Sequence, residues 1–249
     1  MMTRLVPDPN ETQLRIDLAA ALRLSCREGW HEGVANHFSA AVSVDGKRFL
    51  VNPRWMHWSR VRASDLILCD AEDQSTMARP DAPDPSAWSI HAALHRDVPQ
   101  ARVALHLHAP YVTALAALRD PTIHPVDQVT ARWYNRIAYD LSFGGIASGA
   151  EEGARIARSV GDHQAVMMQN HGVTTFGATV AEAWDALYHL ERAARTLVLA
   201  YSTGQPLAIL PDALAEATAA EWQTYKQAEF AHFAEMKRVL DKETPDYKD

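Results

Sequence analysis

Short runs of two-residue hydrophobic period alternate with longer runs of helical period along nearly all of this 249-residue chain. That alternation restricts the fold to the α/β class. The runs FSAAVSV (38–44) and RFLVN (48–52) flank Asp45-Gly46, a pair suited to a tight hairpin turn. LILCD (66–70), ARVALHLH (101–108), AVMMQN (165–170) and GVTTFG (172–177) read as further strands. Between them lie helices. Asn10 caps the first, with Gln13 three residues on, and Leu14, Leu18, Leu22 and Cys26 follow at helical spacing until about Gly29. Ser86 caps the second after the proline-rich ARPDAPDP, and Pro110 opens a third. Thr179 starts a long one with Glu182 in a capping box; Val180, Trp184, Leu187, Ala194, Val198 and Tyr201 mark its face, interrupted only by Glu191. After Pro211 the pattern predicts one last helix to about Leu240, then a charged tail, DKETPDYKD, that frays. We read one domain over 1–249: a mixed, largely antiparallel sheet flanked by helices, with the C-terminal helix and tail from about residue 205.

Composition matters mainly for what it excludes. The net charge is −7 and no basic stripe is interleaved with aromatics, which argues against nucleic acid or an anionic membrane as partner. No apolar run nears the roughly 20 residues of a membrane span, and MMTRLVPDPNETQ lacks a secretory apolar stretch. Two cysteines, Cys26 and Cys69, cannot form a disulfide framework and read as buried thiols in a reducing cytoplasm.

The chemistry concentrates in histidines. His106 and His108 sit two apart on a strand, so both imidazoles project from one face just before the Ala109-Pro110 break. Two neutral imidazoles on one face form half of a metal site, and His171, at a turn before Gly172, is the third candidate. No G-x-S-x-G, P-loop or dinucleotide glycine fingerprint competes with this trio, and Gly144-Gly145 reads as a plain turn. His91 and His95, one helical turn apart, read as a helix face rather than ligands; His124 is a secondary candidate.

HLHAPYVTAL, the QNHG turn and TVAEAWDALYHLERAARTL together resemble the class II aldolase/adducin family, over about Leu14 to Tyr201. The resemblance implies a three-layer α/β/α fold around a mixed sheet and a homotetramer with sites at subunit boundaries. It also implies one divalent ion per subunit, zinc first and manganese, cobalt or iron after it, on His106, His108 and His171. Adducin-type members without catalysis usually lack these histidines, so their presence here points to an enzyme.

Departures from the family pattern shape the rest. The sugar-phosphate aldolases carry a catalytic glutamate where this chain has Ala87, in Pro85-Ser86-Ala87. The dehydratases' glutamate after a glutamine becomes Val129 after Gln128. Of the Gly-Asn-x-Ser phosphate loop there remains Asn36-His37-Phe38-Ser39, and a Thr-Gly pair becomes Arg54-Trp55. The hydroxyl-rich phosphate cradle is largely gone. Arg54 offers a planar fork for a carboxylate, while Trp55, Trp58 and Trp88 are expected to border the cleft. Asn36, Ser39, Ser86 and Gln128 complete the expected substrate contacts. Asp127, near the family's tyrosine proton donor, together with His37 and Tyr139, is expected to move protons. These positions describe a metal-dependent carbon–carbon lyase for a small hydroxy- or keto-acid. It acts by decarboxylation or retro-aldol cleavage, which share an enediolate-type intermediate. The alternatives are a sugar-phosphate aldolase or epimerase and a non-catalytic adducin-like module.

Overall fold

The computed structural model describes residues 11–145, 149–225 and 227–249, so the expected Asn10 cap lies outside the described residues. Helix α1 spans Glu11–Arg27. Strands β1 (His37–Ala41), β2 (Arg48–Val51) and β3 (Ile67–Asp70) follow, then α2 (Pro85–Asp97), β4 (Val103–Leu107), α3 (Pro110–Ala116) and α4 (Gln128–Ala131). The second half brings β5 (Ile137–Asp140), α5 (Ala150–Val160), β6 (Ala165–Met168), β7 (Gly172–Gly177), α6 (Val180–Ser202), α7 (Asp212–Trp222) and α8 (Ala228–Glu243). The sheet has seven strands in the order β3-β2-β1-β4-β7-β6-β5, antiparallel at every pairing except β5 with β6. This is the mixed, largely antiparallel sheet expected.

Strand periodicity sorts the side chains into two layers. Val103, Leu105 and Leu107 of β4 join Phe38, Ala40, Met167 and Val173 in the larger core, against α1 and α6. Ala104 faces the other way, with Ala138, Val166, Met168 and Phe176, onto Ile90, Leu94, Ile156 and Val160 of α2 and α5. The result is three layers, α/β/α, as the resemblance implied. Among described residues no helix is long and apolar enough to cross a membrane.

Local chemistry explains the helix ends. Thr179 and Glu182 form the reciprocal capping box, with Thr179 N–H donating to the Glu182 carboxylate at 2.8 Å. Glu191, the polar interruption on α6, is buried and accepts Tyr111 N–H at 2.9 Å and Val112 N–H at 2.8 Å. It thereby satisfies the first turn of α3, whose own cap residue, Ala109, offers no side-chain oxygen.

Several expectations are corrected. The β1–β2 connection is a five-residue loop, 43–47, because Ala41 pairs with Phe49 and Val42 N–H donates to the Arg48 carbonyl. Asp84, not Ser86, caps α2: its carboxylate accepts Ser86 N–H at 2.9 Å, and Pro85 takes the first helical position. The single last helix is two, because Gln227 adopts φ 75° and turns the chain so that Phe233 and Leu240 are buried. The tail is packed rather than frayed. Tyr247 is buried and donates to Asp241, Asp246 accepts Arg23 at 2.9 Å, and Ser64 N–H donates to the Asp249 carbonyl. Asp246 and Glu243 find their partners, Arg23 and Arg27, 223 and 216 residues away, which local sequence does not reveal. Trp58 does not border a cleft; a 3₁₀ turn at Trp58–Arg60 buries it against Phe38, ring centroids 4.7 Å apart. Trp88 packs beside Phe49, Val51 and Cys69 on the α2 side.

Candidate metal centre

The β4 alternation that sends Leu105 and Leu107 into the larger core turns His106 toward the α2–α5 layer, and His108 continues that parity just past the strand. His171 sits in the β6–β7 turn, where Asn170 takes the left-handed conformation at φ 57° and donates its N–H to the Ala116 carbonyl. The three ring centroids lie 4.9–5.2 Å apart, and one ligand atom from each falls within 4.8 Å of the others. Gly172 makes this approach feasible. A Cβ there would stand 2.5 Å from His108 Cδ2 and 2.7 Å from the Leu107 carbonyl oxygen.

Hydrogen bonds fix the tautomers. His106 Nδ1–H donates to the Val173 carbonyl at 3.1 Å, and His108 Nδ1–H donates to Glu32 Oε2 at 2.6 Å. Each neutral ring therefore keeps its lone pair on Nε2, and His108 Nε2 is buried without a protein partner. Desolvation holds His106 well below the usual histidine range and His171 at about 4, so neither ring takes a second proton and charges at neutral pH. Neutral imidazoles with Nδ1 anchored to a carbonyl or carboxylate are the donor set a zinc-type ion requires. The residues present fit the group.

The trio forms one wall of a cleft of about 570 Å³ that also takes in Glu32, Asn36, His37, Asn52, Arg54, Trp55, Asp84, Ser86, Thr113 and Phe143. Asn36, His37, Arg54, Trp55 and Ser86 are thus brought together with the histidines as the sequence suggested. Asn36 and Trp55 stand where the resembled loop has glycines, and both keep positive φ, 69° and 64°. Asn36 Oδ1 accepts His108 N–H at 3.2 Å. Among the described residues the Arg54 guanidinium, exposed at the rim, makes no ion pair.

Other candidates lie elsewhere in the protomer. Asp127 caps α4, accepting Thr130 N–H at 2.7 Å, and Gln128 lends its carbonyl to Trp222 Nε1 at 2.9 Å. The Tyr139 phenol accepts Ile123 N–H at 2.9 Å, and burial pushes it up to about 12. None of the three lines the cleft, nor does His124, beside Asp120.

Sequence reading missed Glu32, Asn52 and Asp84; it placed His91 and His95 on a helix face but not their partners. Those two line the buried side of α2 and join β1. His37 Nδ1 lies 2.7 Å from His91 Nε2; Ser39 Oγ lies 2.5 Å from His91 Nδ1 and 2.7 Å from His95 Nε2; His95 Nδ1 lies 2.6 Å from the Ala101 carbonyl. The available signal was parity: His37 and Ser39 share a strand face, and His91 and His95 share a helix face.

Among the described residues two other clusters could attract a cation. Around Cys26, both His31 and His57 accept backbone N–H groups at Nδ1, leaving their neutral Nε2 atoms protonated and unable to ligate. In the Asp185–His189–His232 group the Arg132 guanidinium already holds Asp185 at 2.7 Å.

The profile of the class II aldolase and adducin N-terminal domain matches residues 16–198. An aldolase class 2 protein of Caulobacter vibrioides is 32% identical over 246 residues, covering 96% of this chain and 93% of that one. A decarboxylase of Streptomyces niveus is 28% identical over 196 residues, covering 78% of this chain and 72% of that one. The crystal structure of an aldolase II superfamily protein from Pseudomonas syringae superposes with a TM-score of 0.87 at 27% identity, covering 99% and 98% of the two chains. With residues 16–198 matched by the family profile and a relative 32% identical over 93% of its length, the chain belongs to the class II aldolase/adducin family.

Proposed function

We propose that this chain is a divalent-metal-dependent carbon–carbon lyase for a small hydroxy- or keto-acid, acting by retro-aldol cleavage or decarboxylation. The observation carrying the reading is the convergence of His106, His108 and His171 on one cleft, with the Nδ1 atoms of His106 and His108 anchored so that Nε2 is free. One ion per subunit, zinc before manganese, cobalt or iron, would supply positive charge against the negative charge that develops on a substrate carbonyl as the carbon–carbon bond breaks. Arg54 supports the carboxylate: an unpaired guanidinium at the rim offers two parallel donors to a planar anion. Two carboxylates line the cleft, and both are engaged, Glu32 by His108 and Asp84 by the start of α2. Ala87 at the expected glutamate position leaves proton transfer to a histidine. The similarity to a decarboxylase supports the lyase class.

We further infer a cytoplasmic homotetramer whose clefts are completed at subunit boundaries. Exposed Leu141 and Phe143, the latter on the cleft wall, are consistent with a covering neighbour. The test is metal analysis of the purified protein beside His108→Ala, then a screen of hydroxy- and keto-acids for release of aldehyde or carbon dioxide. One ion per chain, lost in the variant, with release of either product, is expected. Full stoichiometry in His108→Ala ends the proposal.

A further inference from the structure

Two features of Trp55 work against stability. Its ring is exposed, alone among the seven tryptophans, so a large apolar face is left in water. Its backbone is left-handed at φ 64°, a conformation that glycine adopts freely and a bulky side chain does not. A glycine at 55 would remove both costs at once. Strain of this kind persists at ligand clamps, where the conformation serves binding. The turn also has a geometric effect. Neighbouring residues of an extended chain point to opposite sides, whereas Arg54 and Trp55 border the same space.

That space is double. On one side lies the cleft of about 570 Å³ that holds the histidine trio. On the other lies a groove of about 700 Å³, along whose floor and walls run Pro53, Leu66, Leu68, Pro80 and Ala82. Arg54 and Trp55 belong to both. Two further arginines line the groove, and both are engaged. Arg15 pairs with Glu11 and donates to the Leu66 carbonyl, and Arg79 pairs with Asp81 and donates to the Leu68 carbonyl. Among the described residues Arg54 is the one guanidinium of the three without an ion pair, and it stands next to the exposed indole.

We propose that Arg54 and Trp55 form a two-part subsite for an aryl-substituted acid. The guanidinium takes the carboxylate, and the indole stacks on the aromatic ring, which passes the rim into the groove. The proposal rests on the lyase reading and narrows its substrate from a small hydroxy- or keto-acid to one with a ring within a few bonds of the carboxylate. An anion and a ring so close on the ligand match a guanidinium and an indole on consecutive residues. A rigid indole offers a large face at little conformational cost, and an aromatic partner gains an offset or edge contact that an aliphatic group of equal area lacks.

The test is calorimetric titration of the zinc-loaded protein with lactate, 3-cyclohexyllactate and 3-phenyllactate, which share a carboxylate and a hydroxyl and differ in one substituent. Phenyllactate is expected to bind about 30-fold tighter than lactate and about fivefold tighter than cyclohexyllactate. In Trp55→Gly both ratios are expected to shrink to within about twofold. Its urea midpoint should stay in place, because relief of the left-handed backbone offsets the freedom that glycine gives the unfolded chain. Arg54→Ala is expected to weaken all three acids by about 10-fold and to keep their ratios. A wild-type preference for phenyllactate below about threefold overturns the inference, as does a preference that survives in Trp55→Gly. A clear drop in the Trp55→Gly midpoint, or a lower mass by light scattering, overturns it by assigning the indole to packing or to a subunit contact. Unchanged lactate affinity in Arg54→Ala removes the guanidinium from the pair and overturns it too. The expected ratios in a protein that releases neither aldehyde nor carbon dioxide from any acid overturn the lyase reading instead.

Discussion

Gly172→Ala tests the metal centre without removing a ligand. Gly172 lies in β7 and is not among the glycines at positive φ, so alanine is sterically allowed there as far as the backbone is concerned. Its methyl, however, would stand 2.5 Å from His108 Cδ2 and 2.7 Å from the Leu107 carbonyl oxygen. Carbon atoms in contact settle at about 3.5–4.0 Å, so something must yield by roughly 1 Å. Leu107 pairs with Val173 in the β4–β7 ladder and is the stiffer neighbour; the His108 ring swings instead, pulling on its 2.6 Å bond to Glu32. A metal–nitrogen bond tolerates only about ±0.2 Å. The expected loss is about 10- to 100-fold in zinc affinity, equivalent to about 1.4–2.8 kcal/mol. Chelator competition measures it, with Gly149→Ala as control, since a methyl there meets nothing within 4 Å. A zinc Kd for Gly172→Ala within twofold of the wild type refutes the account of why the N-H-G turn holds a glycine.

Three further outcomes follow from the same structure. Arg54→Ala should lower kcat/KM on a carboxylate substrate by about 10- to 100-fold through loss of a charge-assisted bond, while undiminished cleavage of a sugar phosphate would remove Arg54 from substrate binding. Glu191→Leu leaves two buried N–H groups at the start of α3 without an acceptor, and urea unfolding should show a loss of about 2–4 kcal/mol; an unchanged midpoint would mean that α3 is capped otherwise. His95 is buried beside Arg102 and held at about 4, below the usual 6.5, chiefly by desolvation. The unfolded chain therefore takes up that proton first as pH falls. Stability present above pH 6.5 is lost toward pH 4, at about 1.4 kcal/mol per pH unit for this group, and urea midpoints of His95→Gln should fall less steeply between pH 7.5 and 5.5 than those of the wild type.

Much of this is legible in the sequence, for identifiable reasons. β7 and α6 carry their boundaries locally: glycines at 172 and 177, then the Thr179–Glu182 box. The His106–His108 pairing follows from strand parity alone. What escaped was set by partners far along the chain. Glu191 looked like a flaw in an apolar stripe because the N–H groups it serves lie 79 and 80 residues earlier. The tail looked free because Arg23 and Ser64 hold it. His91 and His95 read as a helix face without partners, because Ser39, which binds both, belongs to another element. Asp127 resembled a proton donor by its position, yet its carboxylate serves the turn it begins.

Trp55 has a use that its packing does not suggest. It is 72% exposed at the mouth of the cleft, whereas Trp30, Trp58, Trp133 and Trp184 are each at most 6% exposed and Trp88 and Trp222 are half-buried. Indoles in a dry interior emit at shorter wavelength and answer weakly to added solutes, so this most exposed of the seven rings takes the largest share of the red edge of the protein's fluorescence. Anything that enters beside Arg54 should dim or blue-shift that edge while the remainder of the spectrum stays still. The protein thus carries its own optical gauge of occupancy, readable by titration in a cuvette before any product has been identified.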